Sequence, residues 1–135
     1  MPRERPIAGS PADWLARARS DLALARMPLP KEAFYEDLCF HAQQAAEKAI
    51  KAVYRALQRE FPYTHDLAEL LKGLEKEGVA IPETVHEAVE LSDFAWHGRY
   101  PGTAEPVTAE EHRRALALAE LAVRWAEDLV RGGTS

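Results

Sequence analysis

Cysteine and long apolar runs are both scarce in this sequence, and each scarcity excludes a class of protein. Cys39 is the only cysteine among the 135 residues, so an intrachain disulfide cannot form and a metal cluster held by thiolates is not expected. No run of 18 apolar residues is present, and the first residues lack the apolar segment of a signal peptide. We therefore expect a cytoplasmic protein, with Cys39 as a small residue of its core.

The motifs of several common enzyme classes are also missing. The sequence contains no glycine-rich phosphate loop, no HExxH zinc motif and no GxSxG nucleophile motif. Its five histidines are scattered along the chain, and no two of them stand four residues apart, the spacing that places two metal ligands on one helix face. We predict no metal site and no cofactor.

The charge is acidic overall but unevenly distributed. The net charge of −5 argues against a dedicated duplex-DNA binder, which usually carries a basic excess. Residues 1–60 contain 10 Lys and Arg against 8 Asp and Glu, whereas residues 61–135 contain 7 against 14. We therefore expect any anion-binding site to take its positive charge from the first half of the chain.

Strand patterns are absent as well, and helical patterns take their place. No segment alternates apolar and polar residues for long enough to predict a strand, while apolar residues recur at helical spacing throughout. The pattern predicts an all-α fold, an antiparallel up-and-down bundle of four to five helices. We predict a flexible arm over residues 1–10, a single bundle over 11–131 and a flexible tail over 132–135. The predicted helices cover about 11–26, 34–60, 67–77, 83–96 and 109–130, with Ser10, Asp66 and Thr108 as candidate N-caps.

The longest of these segments, residues 34–60, contains neither glycine nor proline, and its apolar face is alanine in the middle. Small side chains let neighbouring helices approach closely, so we expect this helix at the centre of the bundle. Beside the apolar face runs a polar line at helical spacing. A solvated helix surface is the alternative interpretation of this line, and Glu47 with Lys51 has the spacing of an ordinary surface ion pair. The polar line consists of His41, Gln44, Lys48, Lys51 and Arg55.

A second candidate feature is the connection before the last helix, which holds Trp96, His97, Arg99 and Tyr100 within five residues. The guanidinium of Arg99 is a planar fork that suits phosphate or carboxylate, and an aromatic ring can stack on a base. The alternative is a rigid turn in which Arg99 caps the carbonyl groups at the end of the fourth helix.

Three segments together resemble the HEPN family, named for "higher eukaryotes and prokaryotes nucleotide-binding" domains. They read FHAQQAAEKAIKA over residues 40–52, THDLAELL over 64–71 and RYPG over 99–102. The resemblance covers roughly residues 12–131 and implies a helical bundle that forms a homodimer. It further implies a partner: small free-standing members accompany a minimal nucleotidyltransferase, either as its substrate-binding subunit or as the toxin half of a toxin–antitoxin pair.

Other members of the family are metal-independent ribonucleases, whose signature is an arginine, four to six intervening residues and a histidine. The matching arginine is Arg99, and the histidine would fall at residues 104–106, which are Ala, Glu and Pro. Since the mechanism needs an imidazole at the reacting oxygens, the resemblance predicts a non-catalytic module that binds a nucleotide or nucleic acid. A ribonuclease toxin that uses His97 instead, and a pure protein-interaction scaffold, remain the alternatives.

These observations combine into one predicted binding site for an anion. We expect the polar line of the second helix to face the loop before the last helix, within one chain or across a dimer. Positive charge from the helix and the fork of Arg99 would then surround one phosphate. The candidate residues are Arg99, Tyr100, His97, Lys48, His41, Gln44 and Lys51.

Overall fold

The computed structural model describes residues 5–95 and 105–132, and within these ranges the chain is helical with no strand. The predicted all-α bundle is confirmed. None of the helices in the described ranges is both long enough and apolar enough to cross a membrane. The elements are α1 (Pro11–Ala25), α2 (Tyr35–Ala56), α3 (Leu67–Lys76), α4 (Glu83–His86), a 3-10 helix (Glu87–Phe94) and α5 (Ala109–Gly132).

Helix α2 is the centre of the bundle and packs against α1, α3, α5 and the 3-10 helix. The alanines in the middle of α2 carry no exposed surface, and Cys39 is buried among them as expected. Because alanine side chains are short, α1 and α5 can both lie close to the axis of α2 at the packing density of a protein interior. The fully buried alanines of α2 are Ala42, Ala45, Ala46, Ala49 and Ala52.

The three candidate N-caps behave as the sequence predicts. Ser10 accepts a hydrogen bond from the Asp13 amide at 3.1 Å, and Asp66 accepts one from the Ala68 amide at 3.0 Å. Thr108 forms a complete capping box. Its hydroxyl oxygen accepts a hydrogen bond from the Glu111 amide, and the Glu111 carboxylate accepts one from the Thr108 amide, each at 3.1 Å. These bonds satisfy amide groups that have no partner inside the helix, and they determine where each helix begins.

Helix α2 ends earlier than the sequence pattern suggests, at Ala56 rather than near residue 60. The cause is a Schellman motif. Gln58 adopts a left-handed conformation with φ of 60°, and the Arg59 amide donates back to the Tyr54 carbonyl at 2.9 Å. This 6→1 bond closes the helix before the proline at position 62 is reached.

The fourth helix also differs from the prediction of a single α-helix over residues 83–96. Only one turn is α-helical, and residues 87–94 form a 3-10 helix. The apolar residues here recur every three positions, so that a helix with three residues per turn aligns all of them on one face. That face turns inward with Val85, Ala88 and Leu91 buried and Phe94 partly buried.

A close contact between α2 and α3 leads to a stability prediction. The buried hydroxyl of Tyr54 donates to the Leu70 carbonyl at 2.6 Å, and a Cβ atom built on Gly73 would overlap this hydroxyl. Overpacking of this kind costs about 1–3 kcal/mol, against about 1 kcal/mol that alanine gains over glycine inside a helix. We therefore expect Gly73→Ala to lower the free energy of unfolding by up to about 2 kcal/mol in chemical denaturation.

A double-mutant cycle isolates the cause. In a Tyr54→Phe background the overlapping oxygen is gone and the nearest remaining ring atom is 3.3 Å from the added Cβ, so Gly73→Ala should be neutral to stabilising there. An equal loss in both backgrounds would show that the hydroxyl is not what excludes a side chain at position 73.

Candidate functional site

The polar line of α2 begins beside α1, where one carboxylate joins two of its members. Asp21 is only 7% exposed, because the neighbouring positions of its helix face are apolar and pack on α2. Its two oxygens lie 2.9 Å from His41 Nδ1 and 2.6 Å from Lys48 Nζ. Both side chains therefore share a single buried carboxylate, and both remain partly exposed on their outer side.

A second carboxylate organises the next turn of α2. Glu47 is 3% exposed and accepts hydrogen bonds from Gln43 Nε2 and Lys51 Nζ, each at 2.8 Å. His65, from the connection before α3, places its Nδ1 3.0 Å from the same carboxylate. Gln44 joins this network by donating to the Gln43 side-chain oxygen at 2.7 Å. Glu47 thus ties α2 to the segment that leads into α3.

The environment of Glu47 favours its charged form. Burial by itself would raise its pKa, but the hydrogen bonds from Lys51, Gln43 and His65, together with the charge of Lys51, outweigh burial and hold the pKa below its usual value. The carboxylate is therefore ionised at neutral pH and balances the Lys51 ammonium at the surface of the core.

Beyond Lys51 the polar line reaches aromatic side chains. Lys51 Nζ lies 4.8 Å from the ring centre of Phe61 and 5.7 Å from that of Trp14, distances at which a cation is attracted to a ring. The two rings contact each other edge to face, with centres 5.4 Å apart. The last member of the line, Arg55, lies at the mouth of a cavity that both rings help to form.

The comparisons with known proteins agree with this architecture. The HEPN domain profile matches residues 11–129. The chain belongs to the HEPN family. A crystal structure of TT1696 from Thermus thermophilus superposes with a TM-score of 0.77 at 33% identity and covers 89% of this chain and 98% of that one. A crystal structure of ST0689, described as an archaeal HEPN homologue, shares the fold with a TM-score of 0.71 at 24% identity, covering 90% and 98%. No sequence among the curated proteins matches the chain.

The structure of this HEPN domain brings together four of the seven residues of the predicted anion site. His41, Gln44, Lys48 and Lys51 lie on one face of α2, at its border with α1 and with the segment before α3. The other three candidates, His97, Arg99 and Tyr100, lie outside the described residues. Their approach to α2 therefore remains a prediction.

Sequence reasoning missed the two carboxylates that organise this face. The pair of Glu47 and Lys51 exists but is buried, so its interpretation as an ordinary surface ion pair was wrong. Asp21 gave a weak signal, because it stands three residues after buried Ala18 and four before buried Ala25, where an apolar residue would be expected. An acidic residue on the apolar face of a helix indicates a buried ion pair.

Proposed function

We propose that this HEPN domain is a non-catalytic module that binds a nucleotide or nucleic acid in partnership with a minimal nucleotidyltransferase. The observation that carries the proposal is the family match over residues 11–129, in a chain that has no histidine after the four to six residues that follow Arg99. For a small free-standing chain the family resemblance implies a substrate-binding subunit or the toxin half of a toxin–antitoxin pair, and either role fits a binding module.

The geometry of α2 supports the binding side of the proposal. Lys48 and His41 keep 27% and 30% of their side-chain surface exposed, so a phosphate at the surface can reach them. Asp21 neutralises part of the Lys48 charge, which means that Lys48 and His41 alone form a weak anion site. A second cation is needed, and Arg99 is our candidate for it.

Ligand titration tests the role of these two cations. We expect Arg99→Ala and Lys48→Ala each to weaken nucleotide binding by about 1–3 kcal/mol, the range for charge-assisted hydrogen bonds, in calorimetric titrations with ATP and a short oligonucleotide. The loss should shrink at high salt. Lys72→Ala, on an exposed position of α3, is the control and should bind like the wild type. Equal binding by all four proteins would contradict a role for either cation.

A ribonuclease is the second candidate function, and one observation favours it. His65 follows Arg59 after five residues, a spacing that falls within the family's range, and its Nδ1 is held by the buried Glu47 carboxylate. Arg59, however, forms an ion pair with Glu77 at 3.2 Å. Our proposal expects single-stranded RNA to remain intact with the purified protein, with or without metal. If the wild type cleaves RNA and cleavage disappears in His65→Ala or in His97→Ala, the non-catalytic proposal is wrong and the protein is a ribonuclease.

Assembly is the remaining part of the proposal. We expect a homodimer, twice the 15.1 kDa of one chain, because dimers are usual in the family and several large apolar side chains are exposed. Sedimentation at micromolar concentration measures this, and a monomer would remove any site formed between subunits.

Affinity capture from the native host followed by mass spectrometry tests the partner, and a co-purifying nucleotidyltransferase is the expected result.

A further inference from the structure

A cavity of about 400 Å³ opens between the start of α1 and the end of α2. We propose that it is a subsite for a purine nucleotide, with the base against aromatic rings and the phosphate at Arg55. This inference rests on the proposed binding function and names where one ligand is held. The volume lies within the usual range for small-molecule sites, about 300–1,000 Å³. The cavity is lined by Ala8, Gly9, Trp14, Arg55, Glu60 and Phe61.

The aromatic wall is suited to stacking. Trp14 and Phe61 are both partly buried and pack against the core, so their rings are held in place before a ligand arrives. Their edge-to-face contact, with centres 5.4 Å apart, leaves the rings at an interplanar angle of 88°. Lys51 Nζ already lies over both rings, so our proposal places the base flat on a ring face turned away from this ammonium. Bases stack on such rings whatever their sequence, which suits a nucleotide site.

Arg55 supplies the charge, and its environment differs from that of the lysines on the same line. Lys48 binds Asp21 and Lys51 binds Glu47, so each is neutralised by a carboxylate. Arg55 Nη1 instead donates to the Arg59 backbone carbonyl at 3.4 Å, and no carboxylate of residues 5–95 or 105–132 forms an ion pair with it. Its positive charge is therefore available to an anion, and a guanidinium can donate two parallel hydrogen bonds to a phosphate.

Glu60 gives the subsite a preference between bases. An ionised carboxylate only accepts hydrogen bonds. Guanine presents two adjacent N–H donors on its Watson–Crick edge, whereas adenine presents one donor beside an acceptor that a carboxylate would repel. The exposed Glu60 side chain can swing to meet this edge. The chemistry of a carboxylate in the lining of this cavity therefore favours guanine over adenine.

Titration with GMP, AMP and inorganic phosphate tests the subsite, using calorimetry and tryptophan emission. We expect GMP to bind more tightly than AMP and to quench emission, with the quenching lost in Trp14→Phe. Arg55→Ala and Phe61→Leu should each weaken GMP binding by about tenfold or more. The leucine variant keeps apolar bulk at the rim of the core.

Glu60→Gln should abolish the preference for GMP over AMP. Arg124→Ala, an arginine on the exposed face of α5, is the matched control and should change nothing.

The outcomes separate this inference from the proposed function. If the wild type binds nucleotide and Lys48→Ala weakens binding while Arg55→Ala and Phe61→Leu do not, the subsite is wrong and the binding function stands. If phosphate binds as tightly as GMP, the aromatic wall holds no base and the subsite is again wrong. If the wild type binds neither nucleotide nor oligonucleotide, both proposals fall.

Discussion

Replacing Glu47 by alanine is expected to lower the free energy of unfolding by about 3–5 kcal/mol, the usual result of removing one partner from a buried ion pair. Glu47 is 3% exposed and accepts hydrogen bonds from Gln43 and Lys51, and His65 Nδ1 lies 3.0 Å from the same carboxylate. Its loss leaves the Lys51 ammonium, which is only 13% exposed, beside apolar rings and without its one carboxylate partner among residues 5–95 and 105–132. Equilibrium denaturation of the wild type and the variant measures the difference.

Two comparisons identify the cause of that loss. Glu69→Ala removes an exposed carboxylate from α3 and should change stability by no more than about 0.5 kcal/mol. The double variant Glu47→Leu with Lys51→Met removes both charges and keeps most of the volume, so it should be more stable than Glu47→Ala. A double variant as unstable as the single one would show that packing around Glu47, rather than the unpaired Lys51 charge, causes the loss.

The pH dependence of stability gives an independent measurement of the same network. The pKa of Glu47 is lower in the folded protein than the value of 4.5 expected for the unfolded chain. The unfolded state therefore binds this proton first as the pH falls, and the stabilisation from Glu47 is complete above pH 4.5 and is lost as the pH drops through the folded pKa. We expect Glu47→Gln to flatten the acid limb of the stability curve. An unchanged acid limb would contradict an ionised Glu47.

Features that depend on local chemistry were predictable from the sequence, and those that depend on a neighbouring helix were not. The N-caps at Ser10 and Thr108 follow from side chains within four residues of the amides they bind. The burial of Glu47 could not be read in this way, because an ion pair four residues apart looks the same on an exposed helix face and on a covered one. The 3-10 helix after His86 left a local signal, apolar residues at every third position, but the pattern alone does not show that all of them pack inward.

The same distinction between local spacing and contacts with a neighbouring helix applies to the candidate site. Helical spacing placed His41, Gln44, Lys48 and Lys51 on one face of α2, and the structure agrees. Spacing along one helix carries no information about the residue opposite, so Asp21 on α1 could not be paired with Lys48 in advance. This missing partner matters for function, because it determines how much positive charge the face can offer to a ligand.

Asp21→Asn is therefore expected to have two opposite effects. Asparagine keeps the shape of the side chain but loses the negative charge. In the wild type one Asp21 oxygen lies 2.6 Å from Lys48 Nζ, and the other lies 2.9 Å from His41 Nδ1. The free energy of unfolding should fall by about 1–3 kcal/mol, the range for hydrogen bonds to charged groups, because Lys48 is left at the edge of the core without a carboxylate. The same change removes the group that competes with a ligand phosphate for Lys48. Nucleotide binding should become tighter at low salt, and the gain should shrink as salt is added.

Denaturation and calorimetric titration of one preparation measure both effects together. Asp128→Asn, which removes an exposed carboxylate from α5, controls for the change in net charge and should affect neither quantity appreciably. In Lys48→Ala the gain in affinity from Asp21→Asn should vanish, because the cation that the substitution releases is absent. If Asp21→Asn destabilises the protein and leaves binding unchanged, the polar line is a structural ion pair between α1 and α2. The ligand must then be bound elsewhere, and Arg55 becomes the residue to test first.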